Sequence, residues 1–179
     1  MNFQNTKFNG CYLIEPSLFP DERGYFFELF QKERIKDLGI TTDDFVQDNF
    51  SYSCKNVLRG MHYQRNNPQG KLVTVLSGKV LDVIIDLRSE EPTFKEWQMF
   101  ELDSEKHKQL WVPKGFAHGF LTLSENACFH YKCTDFYDPS DEYTIRWDDK
   151  EFKIDWPKGI EFIISNKDRE AVNFSEEIL

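Results

Sequence analysis

The feature that most constrains this chain is a succession of short strand-like runs, ended by glycine, proline or asparagine turns, with little helical periodicity between them. The runs fall at 44–53, 56–63, 71–77, 79–88, 97–101, 109–112, 117–123, 127–134 and 143–147. Turn residues stand at Ser77-Gly78, Pro113-Lys114-Gly115 and Asp138-Pro139-Ser140. Short strands at this spacing bury their apolar faces as a sandwich or barrel. The expected fold is therefore all-β: a jelly-roll barrel or sandwich with a few short peripheral helices. Runs 71–76 and 79–87, joined at Ser77-Gly78, are expected to pair as a hairpin. Helical spacing is confined to 29–38, with apolar residues at 29, 30, 35 and 38 and a stop at Gly39, while 103–108 suits one short turn.

At 179 residues, a single domain over 1–179 is expected. Seventeen phenylalanines suit sheets that pack face to face. A net charge of −9 argues against nucleic acid and anionic membrane as partners, because both need a basic face. A few local cations still suffice for a small anionic ligand. Cys11, Cys54, Cys128 and Cys133 contain no C-x-x-C pair, and the odd spacing of the last two turns them to opposite faces of one strand. Free thiols in a reducing cytoplasm are expected, rather than zinc or disulfides. No apolar run reaches membrane length, and the N-terminal residues lack a basic and apolar leader pattern, so a cytoplasmic protein is expected.

Chemistry concentrates in Val57-Leu58-Arg59-Gly60-Met61-His62-Tyr63-Gln64, followed by Gln69-Gly70-Lys71-Leu72-Val73. Alternation puts Arg59 and Met61 on one face and His62 on the other. A turn over 66–70 returns Lys71 towards His62. A lone strand histidine is more often a satisfied core residue. Beside two cations it reads as a general base, with the cations balancing negative charge that develops on a substrate. Taken singly, Arg59 suits a surface ion pair and Lys71 a snorkelling side chain equally well.

Two further constellations stand out. Phe19–Glu28 combines a turn, Arg23, the aromatic Phe26 and the carboxylate of Glu28. It suits a nucleobase and a diphosphate, although alone it reads more simply as a charged turn entering an aromatic core strand. Phe129–Tyr137 offers Tyr131 as a proton donor, or as packing. Metal binding has one pointer, Pro113-x-Gly115-x-x-His118. However, His62-x-Gln64 stands where a His-x-His pair would be needed, no glutamate follows at ligand spacing, and neither His107 nor His130 is placed to substitute. Metal is therefore not expected.

Read together, these stretches resemble the dTDP-4-dehydrorhamnose 3,5-epimerase family. The matching motifs are Phe-x-Asp-Glu-Arg-Gly at 19–24, Val-Gln-Asp-Asn at 46–49, Val-Leu-Arg-Gly-x-His-Tyr-Gln at 57–64 and Gln-Gly-Lys-Leu-Val at 69–73. Further on come Leu-Trp-Val-Pro-x-Gly-Phe-Ala-His-Gly-Phe at 110–120, Tyr-Lys-Cys-Thr-Asp-x-Tyr at 131–137 and Ser-x-Lys-Asp at 165–168. The resemblance implies His62 as general base oriented by Asp168, Tyr131 as the acid on the opposite face, and Lys71 near the C4 oxygen. It implies Arg23 and Arg59 as diphosphate ligands, and Phe26, Glu28, Gln47 and Asn49 as base and ribose contacts, with His118 and Tyr137 in the pocket. It also implies a nucleotide-diphosphate sugar as substrate, no metal or organic cofactor, and a homodimer that exchanges N-terminal strands. One stretch departs: Glu142–Lys150 lacks the glycine and proline of the family's Glu-x-Gly-Ile-x-Trp-x-Asp-Pro. The deprotonation motifs do not separate 3,5-epimerases from relatives that invert only C3 or only C5, or that act on GDP-linked 4-keto-heptoses. Readings from other classes are a metal-dependent cupin dioxygenase or isomerase, built on His62, Gln64 and His118, and a non-catalytic sugar-nucleotide-binding jelly roll.

Overall fold

The computed structural model describes residues 1–36, 38–40 and 45–174. Residue 37, inside the expected helix, and residue 44, the start of the first expected strand, lie outside the described residues. The first sheet contains β1 (Asn2–Asn5), β2 (Tyr12–Glu15), β5 (Gln47–Cys54), β7 (Lys71–Ser77), β10 (Gln109–Val112) and β12 (Asn126–Cys133), in the order β1-β2-β10-β7-β12-β5. The second contains β6 (Val57–Gln64), β8 (Lys79–Asp86), β9 (Trp97–Asp103), β11 (Phe116–Thr122) and β13 (Glu142–Thr144), in the order β13-β6-β11-β8-β9. β14 (Ile163–Ile164) adds to β6 in parallel, whereas the other strand pairs are antiparallel. β3 (Phe19–Asp21) and β4 (Gly24–Phe26) form a separate two-stranded hairpin, and the described residues include two short helices, α1 (Lys32–Lys36) and α2 (Asn166–Arg169). Among the described residues no helix is long and apolar enough to cross a membrane.

The inner faces of the two sheets meet in a core that includes Val73, Val75, Leu110 and Phe129 from the first and Val80, Ile84, Phe116 and Phe120 from the second. Each outer face is covered separately. Ile35, Ile40, Phe30 and Phe45 close over Ile14, Leu72 and Trp111. Phe152, Trp156, Phe162 and Phe174 close over Leu58, Val83 and Leu121. This is the jelly roll that the strand spacing implied.

The expected 71–76/79–87 hairpin is not formed. β7 pairs with β10 and β12, while β8 pairs with β9 and β11, so Ser77-Gly78 is a corner between the sheets. Gly78 has φ of 81°, and a Cβ there would sit 2.1 Å from the Asn126 carbonyl oxygen, so the corner requires glycine. The expected helix is shorter than 29–38. Gln31 Oε1 accepts the Arg34 N–H at 2.7 Å and starts the helix late, while the Leu29 carbonyl accepts from Gln109 Nε2 at 3.0 Å. The turn after β9 forms where expected, with Asp103 Oδ1 accepting the N–H groups of Glu105 and Lys106 at 2.9 and 2.7 Å.

Candidate active site

A cavity of about 200 Å³ opens between the two sheets, lined by Ser51, Arg59, His62, Lys71, His118, Gly119, Phe120, Phe129 and Tyr131. Strict alternation on β6 would keep Arg59 and His62 apart. They meet because β6 carries a bulge against β11: His62 opposes His118 and Arg59 opposes Phe120, three steps on one strand against two on the other. The extra residue flips the phase, turning both side chains into the cavity and Met61 into the opposite core. The strands approach so closely here that a Cβ on Gly60 would lie 2.5 Å from Gly119 Cα.

His62 Nε2 lies 2.6 Å from Oδ1 of Asp168, which is 3% exposed. Asp168 sits in α2, whose N-cap Ser165 accepts the Asp168 N–H at 3.1 Å. Its Oδ2 accepts the Gly60 N–H at 3.4 Å. Burial works to raise this carboxyl, but the bonds to His62, Gly60 and Ser165 outweigh it and hold Asp168 below the ordinary carboxylate range. A carboxylate accepting Nε2–H leaves Nδ1 as the basic nitrogen of a neutral ring.

Lys71 and Tyr131 come from the facing sheet, with Nζ 5.9 Å from the Tyr131 ring centre. Burial pulls the Lys71 ammonium below its ordinary value, opposed by Cys133, Glu142 and Asp82. Burial also pushes the Tyr131 phenol up to about 12, helped by Cys133 and Glu142 and opposed by Arg59, so it carries its proton at neutral pH. Among the described residues no carboxylate pairs with Arg59, so the surface-ion-pair reading does not hold, and Lys71 lines the cavity with its ammonium buried rather than carried out to water. Arg59 instead donates from Nε to Ser53 Oγ at 3.0 Å.

β5 inverts the expectation for an aromatic strand. Asn49, Ser51 and Gln47 oppose Tyr131, Phe129 and Cys133 on the inner side, while Phe50 and Tyr52 point outward, 62% and 56% exposed. Gln47 Nε2 donates to Asn49 Oδ1 at 2.9 Å, and Gln47 Oε1 accepts the Tyr137 N–H at 2.9 Å. The Tyr137 hydroxyl donates to Glu142 Oε2 at 2.7 Å, and Lys167 pairs with the same carboxylate. Sequence reasoning passed over Lys167, although it stands beside Asp168. It also passed over Asp82, whose signal was a charge inside the apolar run 80–85.

Of the expected site residues, Asp168 reaches the cavity through His62; Gln47, Asn49 and Tyr137 do not line it; and Arg23, Phe26 and Glu28 are held elsewhere. Arg23 is bound to Asp21 on the β3–β4 hairpin, Phe26 is 66% exposed, and Glu28 pairs with Arg34 at 2.8 Å. The reading of this stretch as an aromatic core strand also fails, because Phe19 and Tyr25 are 54% and 57% exposed. The donor set for a metal-dependent cupin is not assembled. His118 Nε2 faces Asp82, and Gln64 is spent on the carbonyls of Asn67 and Phe136 and on the Asp138 N–H. Among the described residues no three His, Cys, Asp or Glu side chains are grouped to hold a metal.

The sequence model of the dTDP-4-dehydrorhamnose 3,5-epimerase family matches residues 5–176. A dTDP-4-dehydrorhamnose 3,5-epimerase of Salmonella typhimurium is 48% identical over 168 residues, covering 93% of this chain and 92% of the relative. The crystal structure of a dTDP-6-deoxy-D-glucose-3,5-epimerase from Legionella pneumophila, in complex with dTDP-4-keto-L-rhamnose, superposes with a TM-score of 0.94 at 49% identity, covering 99% of this chain and 96% of that one. A 3'-monoepimerase from Streptomyces bikiniensis in complex with dTDP-quinovose has the same fold, with a TM-score of 0.87, 30% identity and coverage of 94% and 85%. With a histidine–carboxylate pair on one wall, a protonated tyrosine and a lysine on the other, and a family match along nearly its whole length, this chain belongs to the dTDP-4-dehydrorhamnose 3,5-epimerase family.

Proposed function

We propose that the protein inverts C3 and C5 of a dTDP-4-keto-6-deoxysugar, converting dTDP-4-dehydro-6-deoxy-D-glucose into dTDP-4-dehydro-L-rhamnose. One observation carries this reading: a base and an acid face one cavity from opposite sheets, as inversion at carbon requires. The C4 ketone acidifies the hydrogens at C3 and C5, because the electron pair left behind is delocalised onto its oxygen as an enolate. His62 Nδ1 takes the proton from one face, while Asp168 orients the ring and balances the imidazolium. The Lys71 ammonium stabilises the enolate oxygen. Tyr131 returns a proton from the other face and is itself reprotonated from solvent, while the His62 imidazolium releases its proton to solvent, so both groups are restored for the second carbon and no electrons are gained or lost. Arg59 holds the diphosphate, and His118, Gln47, Asn49 and Tyr137 position the sugar nucleotide.

The assembly we propose is a homodimer, with the chain acting as one domain over 1–179. Two observations support the dimer. The edge strand β5 turns Phe50 and Tyr52 to solvent, with Leu76 also exposed, which suits a surface that another copy covers. The hairpin carrying Arg23 and Phe26 lies away from its own cavity, so these residues and Glu28 serve the nucleotide in the partner's site. We place the protein in the cytoplasm, where a reducing environment suits its four free cysteines.

The test is solvent exchange. Incubation with dTDP-4-keto-6-deoxyglucose in D₂O is expected to place label at C3 and C5. No label at either carbon, with authentic substrate and folded protein, defeats the proposal. Label at one carbon alone makes the protein a mono-epimerase, and exchange only with GDP-linked 4-keto sugars reassigns the nucleotide.

A further inference from the structure

Asp82 lies in the middle of β8 and is 0% exposed. Its same-face neighbours along the strand, Val80 and Ile84, belong to the inner apolar core. Both carboxylate oxygens lie against a single atom, Nε2 of His118, at 3.0 and 2.9 Å. Among the described residues no other hydrogen bond reaches this carboxylate. A buried charge with one partner carries a desolvation penalty that an aliphatic residue at the same place would avoid. Stability is therefore a poor account of Asp82. The His118 ring it holds lines the reaction cavity beside His62, its register partner on the neighbouring strand.

We infer that Asp82 is a positioning residue for the enolate-binding end of the cavity: it fixes the His118 ring and sets a buried carboxylate behind that ring, in the cavity wall that His118 shares with Lys71. The inference rests on the epimerase reading and extends it to a residue that touches no substrate. Because Asp82 accepts Nε2–H, His118 keeps Nδ1 for the ligand, the same arrangement that Asp168 imposes on His62. Lys71 shares the cavity lining with Tyr131 on β12, Arg59 and His62 on β6 and His118 on β11, and the charges that act on it are those of Cys133 on β12, Glu142 on β13 and Asp82 on β8. Of the two carboxylates, Glu142 is already engaged by Tyr137 and Lys167. Asp82 has only His118. Burial lowers Lys71 and Asp82 opposes that lowering, so neutralising Asp82 makes Lys71 lose its proton at lower pH.

The experiment compares wild type, Asp82→Asn and His118→Gln by D₂O exchange on dTDP-4-keto-6-deoxyglucose across pH, and by ¹⁵Nζ NMR titration of Lys71. Asp82→Asn is expected to lower kcat about 10–10²-fold, short of losing an oxyanion donor outright. KM should stay within about threefold of wild type, because His118 is the one substrate contact disturbed while Arg59, Gln47, Asn49 and Tyr137 are untouched. The alkaline limb of kcat and the Lys71 titration should both move to lower pH. His118→Gln retains the carboxylate, so kcat should fall while the Lys71 titration stays at or above its wild-type position. An Asp82→Asn protein with kcat within twofold of wild type, or with an unmoved Lys71 titration, overturns the inference. Should Asp82→Asn fail to fold, His118→Gln decides: wild-type kcat or a lowered Lys71 titration overturns it. Absence of exchange by wild type instead defeats the epimerase reading, and the Lys71 titration still judges Asp82.

Discussion

Gly119→Ala isolates the strand contact that builds the cavity. Gly119 lies outside the left-handed region, so alanine meets no backbone conflict there and only space is tested. A Cβ at this position would stand 2.6 Å from the Arg59 carbonyl oxygen, 2.7 Å from Met61 Sδ and 3.1 Å from Gly60 Cα. Ordinary contact begins at 3.4 Å, so β6 must retreat from β11 by about 0.8 Å at the bulge. Met61 can rotate its thioether away, but the Arg59 carbonyl and Gly60 Cα are backbone and cannot. Overpacking of this kind costs about 1–3 kcal/mol. For a chain of this length that lowers Tm by roughly 2–12 °C, at about 2–4 °C per kcal/mol. The retreating segment carries both Arg59 and His62, and a misplacement of about 1 Å costs on the order of 10²-fold in rate. Calorimetry and the D₂O exchange assay should therefore record a lower Tm and a kcat reduced by roughly 10–10²-fold. A Gly119→Ala protein with wild-type Tm and wild-type exchange at both carbons would refute the claim that this close approach sets the phase of β6.

Tyr131→Phe retains the base and the enolate-stabilising lysine, so it should wash substrate hydrogen into solvent yet return it mainly to the original face. Wild-type inversion rates by NMR would remove Tyr131 as the acid, whereas His62→Ala should lose roughly 10²–10⁴-fold of exchange itself. Asp168→Asn should fall between these two, with the ring present but less basic and less well oriented. Because the folded Asp168 carboxyl is depressed, its contribution to stability is present above the ordinary carboxylate range and lost as pH falls through the depressed value. The Tm difference between wild type and Asp168→Asn should accordingly be full at neutral pH and shrink under acid; a pH-independent difference contradicts the pairing. Phe50→Glu places a charge on the exposed face of β5, and sedimentation should shift from dimer to monomer with loss of nucleotide affinity. An unchanged sedimentation coefficient would exclude that face as the contact.

Most of the strands were legible in the amino-acid order because each is a local run bounded by its own turn residues. β1 to β4, β14 and α2 were not, since these short elements carry little local periodicity to mark them. The Ser77-Gly78 junction read as a hairpin because a glycine turn between two apolar runs is locally the same object whether the strands pair or part. Only the facing sheets, each taking one strand, decide that. The chemistry followed the same division. His62, Lys71, Tyr131 and Asp168 were recognisable from motifs, and residue types suited to proton transfer are written there whatever the fold. That Arg59 shares a face with His62 was not recoverable, because alternation predicts the opposite and the bulge exists only against β11. Nor was the outward turn of Phe50 and Tyr52, since an alternating strand does not say which face meets the core. The two histidine–carboxylate pairs are likewise tertiary, with His62 and Asp168 lying 106 residues apart and His118 and Asp82 lying 36 apart. Local sequence determined which segments extend and which groups are available for chemistry. Long-range packing decided which way each side chain points and which charge stands beside it, because only contacts between distant segments break the symmetry between a strand's two faces.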